Sequence, residues 1–194
     1  MSIAEDFKID KSPSGLTRIL LEILRDHFKI NSKTFTYQET PTSKSLVVDN
    51  STAYTHGYVQ QRPAIYVKRG PVSFTKIAIG DKSVGGKRSE GTIEYQLEVQ
   101  GAHTIFCMSR NEGEAEKLGE EASDLLIAFK PVIRNTFDFQ RFEVVSIGEV
   151  GVLEEESELF VVPISLVYQM SMEWQLKQES LKLKMGFVAE PKSC

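Results

Sequence analysis

One run near the end of the chain alternates without a break, and it limits the folds open to the rest. Phe160, Val162, Ile164, Leu166, Tyr168, Met170, Met172, Trp174 and Leu176 share one parity, while Pro163, Ser165, Gln169, Ser171, Glu173, Gln175 and Lys177 share the other. A period of two sends alternate side chains to opposite faces of an extended strand, one apolar and one polar. Unbroken from 160 to 176, it would span roughly 55 Å, against the usual strand of about five or six residues. A single domain of this size has trouble covering such a strand. Its far end, at Met172, Trp174 and Leu176, is therefore expected to pair with another chain or to wrap back after a bulge. Pro163 has no N–H for a ladder and predicts an edge or bulge at its position. After residues 178–180 the apolar parity shifts to Leu181, Leu183, Met185 and Phe187, which predicts one last strand before a loose tail over 189–194.

The clearest helix covers residues 109–129. Ser109 and Glu112 read as a capping box, and Glu112, Glu114 and Glu116 crowd the positive end of the helix dipole. Ala115, Leu118, Ala122, Leu125, Leu126 and Phe129 draw one apolar stripe, and Pro131 is expected to stop the helix. An earlier helix begins at Ser12-Pro13, runs through Leu16, Ile19, Leu20, Ile23, Leu24, His27 and Phe28, and ends near Asn31. Arg25 and Lys29 suit its negative end, and His27 reads as a boundary histidine with a local hydrogen bond.

Between the helices the pattern is mostly strand. Residues 31–62 are polar, with only 35–37 and 46–48 strand-like, and form either short strands or a segment ordered by a partner. His56-Gly57 within them reads as a turn. Residues 64–68 and 72–79 predict two strands around an Arg69-Gly70-Pro71 turn. The stretch 80–91, with Lys82, Lys87 and Arg88 among its glycines, reads first as a mobile hairpin tip between two strands, and in a sharper alternative as a basic tip that reaches a neighbouring subunit or DNA. It is no phosphate-binding loop, because Gly86-Lys87 falls one residue late and Arg88 stands where a hydroxyl is needed. Over 92–107 Ile93, Tyr95, Leu97, Val99, Ile105 and Cys107 alternate with Thr92, Glu94, Gln96, Glu98 and Gln100, a half-buried antiparallel strand with a bend at Gly101. His103 and Cys107 share its apolar face but stand roughly 13 Å apart along a straight strand, too far for a catalytic dyad. Strands follow over 137–145 and 146–153, with bends at Gly148 and Gly151, and Glu154, Glu155, Glu156 and Glu158 make an acidic, solvated turn.

Composition bounds the function. With 194 residues, 41% hydrophobic and 26% charged, the chain is an ordinary globular sequence expected to form a single α+β domain, mostly antiparallel sheet with two principal helices. A net charge of −4 and a pI near 5.5 argue against a protein whose main work is neutralising phosphates. Two cysteines, Cys107 and Cys194, give no disulfide framework. Residues 1–8 lack a basic and apolar leader, and no run reaches about 18 apolar residues, so neither standard secretion nor a membrane span is expected. There is no Ser-His-Asp set, no zinc-ligand spacing and no dinucleotide fingerprint. Catalytic residues, metal ligands and cofactors are accordingly not assigned.

The order of elements resembles that of tail terminator (tail completion) proteins in the neck of long-tailed bacteriophages. The likeness is carried by the helix Leu16 to Phe28, the strands between Ala64 and Cys107, the helix Arg110 to Phe129 and the strands Phe142 to Gln178. It implies a non-enzymatic virion protein assembled in the host cytoplasm. Such a protein forms a ring, usually a hexamer, that joins tail tube to head connector, contacts other neck and tail proteins, and passes DNA through its lumen without specific binding. Interface candidates are Met172, Trp174, Leu176, Lys82, Lys87 and Arg88. Two other readings stand beside it: a tail tube or baseplate subunit, and an α/β enzyme whose acidic residues, such as Glu94, Glu98 and Asp124, meet around a metal only in three dimensions.

Overall fold

The computed structural model describes residues 13–32, 34–39, 45–53, 63–76, 92–153 and 156–177, with side chains at 53, 76, 92–96, 156–158 and 173–177 left outside the description. The fold is α+β. In chain order it comprises α1 (Pro13–Ile30), β1 (Val47–Asn50), a 3-10 turn (Ser51–Ala53), β2 (Ala64–Lys76), β3 (Thr92–Ser109), α2 (Glu112–Phe137), β4 (Phe139–Ile147), β5 (Gly151–Leu153) and β6 (Glu156–Lys177). The sheet runs β1-β2-β3-β6-β4, with β5 also paired to β6. Contacts divide the chain into two compact units. The first holds residues 1–73 and 100–170, and the second holds 74–99 and 171–194.

In the first unit both helices pack on one face of the sheet. Pro13 opens α1, where its missing N–H costs nothing. Leu16, Thr17, Leu20, Leu21, Leu24 and Phe28 form its buried stripe, rotated slightly from the predicted one so that Leu21 goes in while Ile19 and Ile23 stay half-buried. Beneath the helices lie Ile105 and Cys107 of β3 and Val162, Ile164, Leu166, Tyr168 and Met170 of β6. The even parity of β6 and the odd parity of β3 thus face the helices, as the alternation predicts. Gly119 of α2 lets the helix close on the sheet, since a Cβ there would stand 2.8 Å from Val162 Cγ1. On the opposite face a smaller cluster gathers Ala64, Tyr66, Met108, Leu159 and Val161, with Val47, Phe106 and Leu153 against it.

Sheet register explains the prolines and glycines. β1 pairs with β2 in parallel, from Val47↔Ala64 to Asn50↔Val67, and goes no further. Beyond Val67 the β1 side of β2 has no ladder partner from β1, so Pro71 forfeits no bond there. The predicted turn at Arg69-Gly70-Pro71 is therefore a straight continuation of β2, with Gly70 close against β3: a Cβ there would stand 3.1 Å from the Ala102 carbonyl oxygen. Pro163 sits where β4 gives way to β5. The ladder runs to Ile147↔Ile164, resumes at Gly151↔Val161, and is bridged by Gly148 N–H donating to the Pro163 carbonyl at 2.7 Å.

α2 is longer than its sequence suggests, and its cap is shifted. Asn111 is the N-cap, its side chain accepting from Glu114 N–H at 3.4 Å. Ser109 instead ends β3, where its hydroxyl donates to the Glu114 carboxylate and accepts from Asn111 N–H at 3.3 Å. Asn111 and Glu114 thus hold capping-box spacing two residues downstream of the Ser109-Glu112 reading, with the Ser109 hydroxyl relaying between the Asn111 N–H and the Glu114 carboxylate. Nor does Pro131 end the helix, which continues to Phe137 because Ile133 is buried in the core. Asp138 closes it in the left-handed region (φ 56°), its N–H donating to the Arg134 carbonyl. Phe129, expected in the core, is 42% exposed.

The described residues of the second unit, 74–76, 92–99 and 171–177, are all strand, continuing β2, β3 and β6. Val99 is buried and Phe74 exposed. Asn111→Ala is expected to lower stability by about 1 kcal/mol, the usual cost of a lost N-cap, read as a shifted urea midpoint at unchanged slope. An unchanged midpoint would mean that Asn111 does not cap α2.

Candidate functional site

The sheet face turned away from the helices carries an open, largely apolar groove of about 490 Å³ across four strands of the first unit. Pro71 to Ser73 of β2, Gln100 to Ala102 of β3, Val167 to Gln169 of β6, and Arg141 and Val145 of β4 line it. Its local cause is a β-bulge. β4 pairs with β6 as Glu143↔Val167 and Val144↔Leu166, then slips to Ser146↔Ser165, which leaves Val145 as the extra residue. A bulge re-aims the inserted side chain, and Val145 stands 58% exposed at the groove. Arg141 beside it pairs with Glu143 at 2.8 Å, and Lys130 of α2 reaches the same carboxylate at 3.1 Å. The hydrogen bonds and charges of these two cations hold the Glu143 carboxyl below its ordinary pKa.

Behind the groove floor, on the helix-facing side, lies a buried polar cluster. The Thr17 hydroxyl of α1 lies 3.2 Å from the Pro13 carbonyl and 2.8 Å from His103 Nε2, with which it shares a hydrogen bond. His103 Nδ1 is buried with no partner among the described residues. The Tyr168 hydroxyl is likewise buried without a partner, its ring 5.5 Å from the His103 ring and 6.0 Å from that of Phe139. Gly101 is the notch that admits it: a Cβ there would stand 2.3 Å from the Tyr168 hydroxyl oxygen and 2.4 Å from Cζ. The bend expected at Gly101 is thus a close approach inside an unbroken strand. Burial, helped by the charge of Arg69, pushes the His103 pKa down to about 4. Burial pushes the Tyr168 hydroxyl up, and the Cys107 thiol up to about 12. Such a thiol is no nucleophile.

Of the residues singled out from the sequence, Met172 is half-buried in the second unit. Trp174 and Leu176 lie on β6 with side chains outside the description, and Lys82, Lys87 and Arg88 lie outside the described residues, as does His56-Gly57. His27 bonds to α2 rather than locally, Nε2 to Glu121 Oε1 at 3.1 Å. Asp124 is exposed on α2 of the first unit and Glu98 half-buried in the second, while the Glu94 side chain is outside the description. Among the described residues no group of three His, Cys, Asp or Glu is placed to hold a metal, and no helix is long and apolar enough to cross a membrane. The groove itself left one sequence trace, the Val144-Val145 doublet that breaks the alternation of β4. Compared with known proteins, the sequence matches no family model and no curated protein.

Gly101→Ala is expected to cost about 1–3 kcal/mol by overpacking against Tyr168, whereas Tyr168→Phe, losing only an unpartnered hydroxyl, should cost little. Equal losses in denaturant unfolding would contradict this geometry. His103 also makes stability depend on pH. Its folded pKa of about 4 lies below the ordinary 6.5, so protonation favours the unfolded chain. Its contribution is fully present above about 6.5 and is lost as pH falls from there to about 4, a change on the order of 3 kcal/mol. His103→Gln keeps a donor for Thr17 and removes the titration. Urea midpoints at pH 7.5 and 5 should fall further for the wild type than for this variant, and parallel falls would refute the assignment.

Proposed function

We propose that this chain is a structural, ring-forming subunit of the tail terminator type, which joins a phage tail tube to the head connector and acts in the assembled virion. The observation that carries the reading is a sheet whose two described α-helices both lie on one face. On the other face the open groove leaves Val145 exposed, an apolar side chain that a partner surface would cover. Strands of 13, 18 and 22 residues support it too, being two to four times the usual length of about five or six. They continue into a second unit whose described residues include no helix. Self-association through different surfaces on each copy closes rings when the rotation permits. The acidic balance of −4 suits a lumen along which DNA slides without adhering.

The test is the assembly state of the full chain. Light scattering coupled to size exclusion at tens of micromolar should give a discrete oligomer, with a closed ring, expected as six-fold, in negative-stain images. Open stacked tubes would favour a tube subunit instead. A monomer throughout that range would remove the proposal.

A further inference from the structure

Helix α1 is fastened to the rest of the first unit unevenly. Its C-terminal half is held from several sides: Arg25 donates twice to the Val48 carbonyl and pairs with Asp49 at 3.5 Å, His27 meets Glu121 of α2, and the Phe28 carbonyl accepts from Tyr37 N–H at 3.1 Å. Its N-terminal half meets β3 at Thr17, whose hydroxyl bonds to His103 Nε2 at 2.8 Å. Leu16 and Leu20 are buried next to that contact along the helix stripe.

Everything turned towards the His103 ring is neutral or positive. The ring is buried, and its Nδ1 has no partner among the described residues. From α1 it faces the Thr17 hydroxyl, and from β6 the Tyr168 phenol, kept neutral by burial that raises its pKa. Cys107, on the same face of β3, is a thiol pushed up to about 12. From β2 comes the Arg69 guanidinium, the one charge among the described residues whose field reaches the ring. A proton added here is therefore a buried charge beside a like charge. Whichever nitrogen carries the first proton, both are then donors, and the Thr17 oxygen satisfies one of them. We infer that His103 is an acid-sensitive latch, which on protonation lets the N-terminal half of α1 lift from β3 while the C-terminal half stays fastened through Arg25, His27 and Phe28. Such an opening is local, releasing Leu16, Thr17 and Leu20 without unfolding the sheet. Because His103 titrates at about 4 when closed and at its ordinary 6.5 when the site opens, the opening constant rises about thirtyfold between pH 7.5 and pH 5. The latch goes beyond the ring-forming reading and holds whether or not the chain closes rings.

The experiment is native-state amide exchange on the full chain at pH 7.5 and pH 5, with and without low urea, each rate divided by its intrinsic rate at that pH. At pH 5 the amides of residues 17–20 should exchange about thirtyfold faster on this scale than at pH 7.5 and respond little to urea, the mark of a small opening. Amides of residues 118–126 in α2 should be slower and accelerate with urea, since they wait for global unfolding. In His103→Gln the pH response of 17–20 should disappear, with circular dichroism unchanged. Arg69→Gln, a change at an exposed residue that removes the neighbouring cation, covers the case in which His103→Gln does not fold, and should shrink the response because protonation of the closed site becomes easier. Exchange of 17–20 that matches 118–126 in rate and urea dependence at pH 5 would overturn the latch. So would an undiminished pH response in His103→Gln or, if that variant does not fold, in Arg69→Gln.

Discussion

Strand β6 lies between β3 on one side and β4 with β5 on the other, and its even face under the helices is the contact on which the rest of the first unit depends. Val162, Ile164, Leu166, Tyr168 and Met170 are all buried there, each side chain worth about 1.5–3 kcal/mol when fully removed from water. Two glycines set how closely neighbours approach that face. Gly119 brings α2 down onto Val162, and Gly101 makes room for the Tyr168 ring across β3. A helix-interior glycine costs about 1 kcal/mol relative to alanine, so Gly119 is understandable only through the closeness it permits.

The edges of this sheet are managed differently. At the β1 edge Arg25 donates to the Val48 carbonyl from both Nε (3.0 Å) and a terminal nitrogen (2.9 Å), while it also lies over the Tyr37 ring. A guanidinium on an outer carbonyl blocks strand addition there. At the other edge β4 is interrupted by two register shifts, near Gln140 and Val145, and bulges of this kind twist an edge away from pairing. Along the described strands β1 and β4, edge-to-edge association is therefore disfavoured. Association through its faces remains, and that is where the exposed valines and isoleucine lie.

The sequence made the strands legible where alternation was long and one-sided. In β3 and β6 the parity names the helix-facing side correctly from His103 to Cys107 and from Val162 to Met170, but it does not show that Met108, Leu159 and Val161 are buried on the other face. It failed where a tertiary partner overrode a local rule. Pro131 reads as a stop, yet Ile133 anchors a further turn and a half of helix; Arg69-Gly70-Pro71 reads as a turn, yet β1 has ended and the proline forfeits nothing. Ser109 reads as a cap because the spacing to Glu112 is right, but Asn111 is nearer the helix and Glu114 serves both residues. The parallel pairing of β1 had no local signal, since its partner is chosen across the chain. The buried cluster was half visible: His103 on an apolar parity announced a buried histidine, while its partner Thr17 lies 86 residues away.

That cluster also bears on what kind of site this protein contains. Buried polar atoms without partners destabilise a fold by roughly 1–3 kcal/mol each, and His103 Nδ1 and the Tyr168 hydroxyl are two such atoms at the middle of the sheet. In an enzyme, groups of this sort open onto a cleft where substrate reaches them. Here both atoms are buried, His103 against Thr17 of α1, and the groove on the far side touches the strand at Tyr168 while its hydroxyl stays buried. Chemistry-bearing side chains and the accessible surface are thus separated by the thickness of the sheet. What lines the groove is mostly proline, valine and alanine, with the Ser73 hydroxyl, the amides of Gln100 and Gln169 and one paired arginine. With both described helices on one face and the polar cluster buried beneath them, the groove face is the accessible surface of the sheet on which the proposed contact with another protein depends.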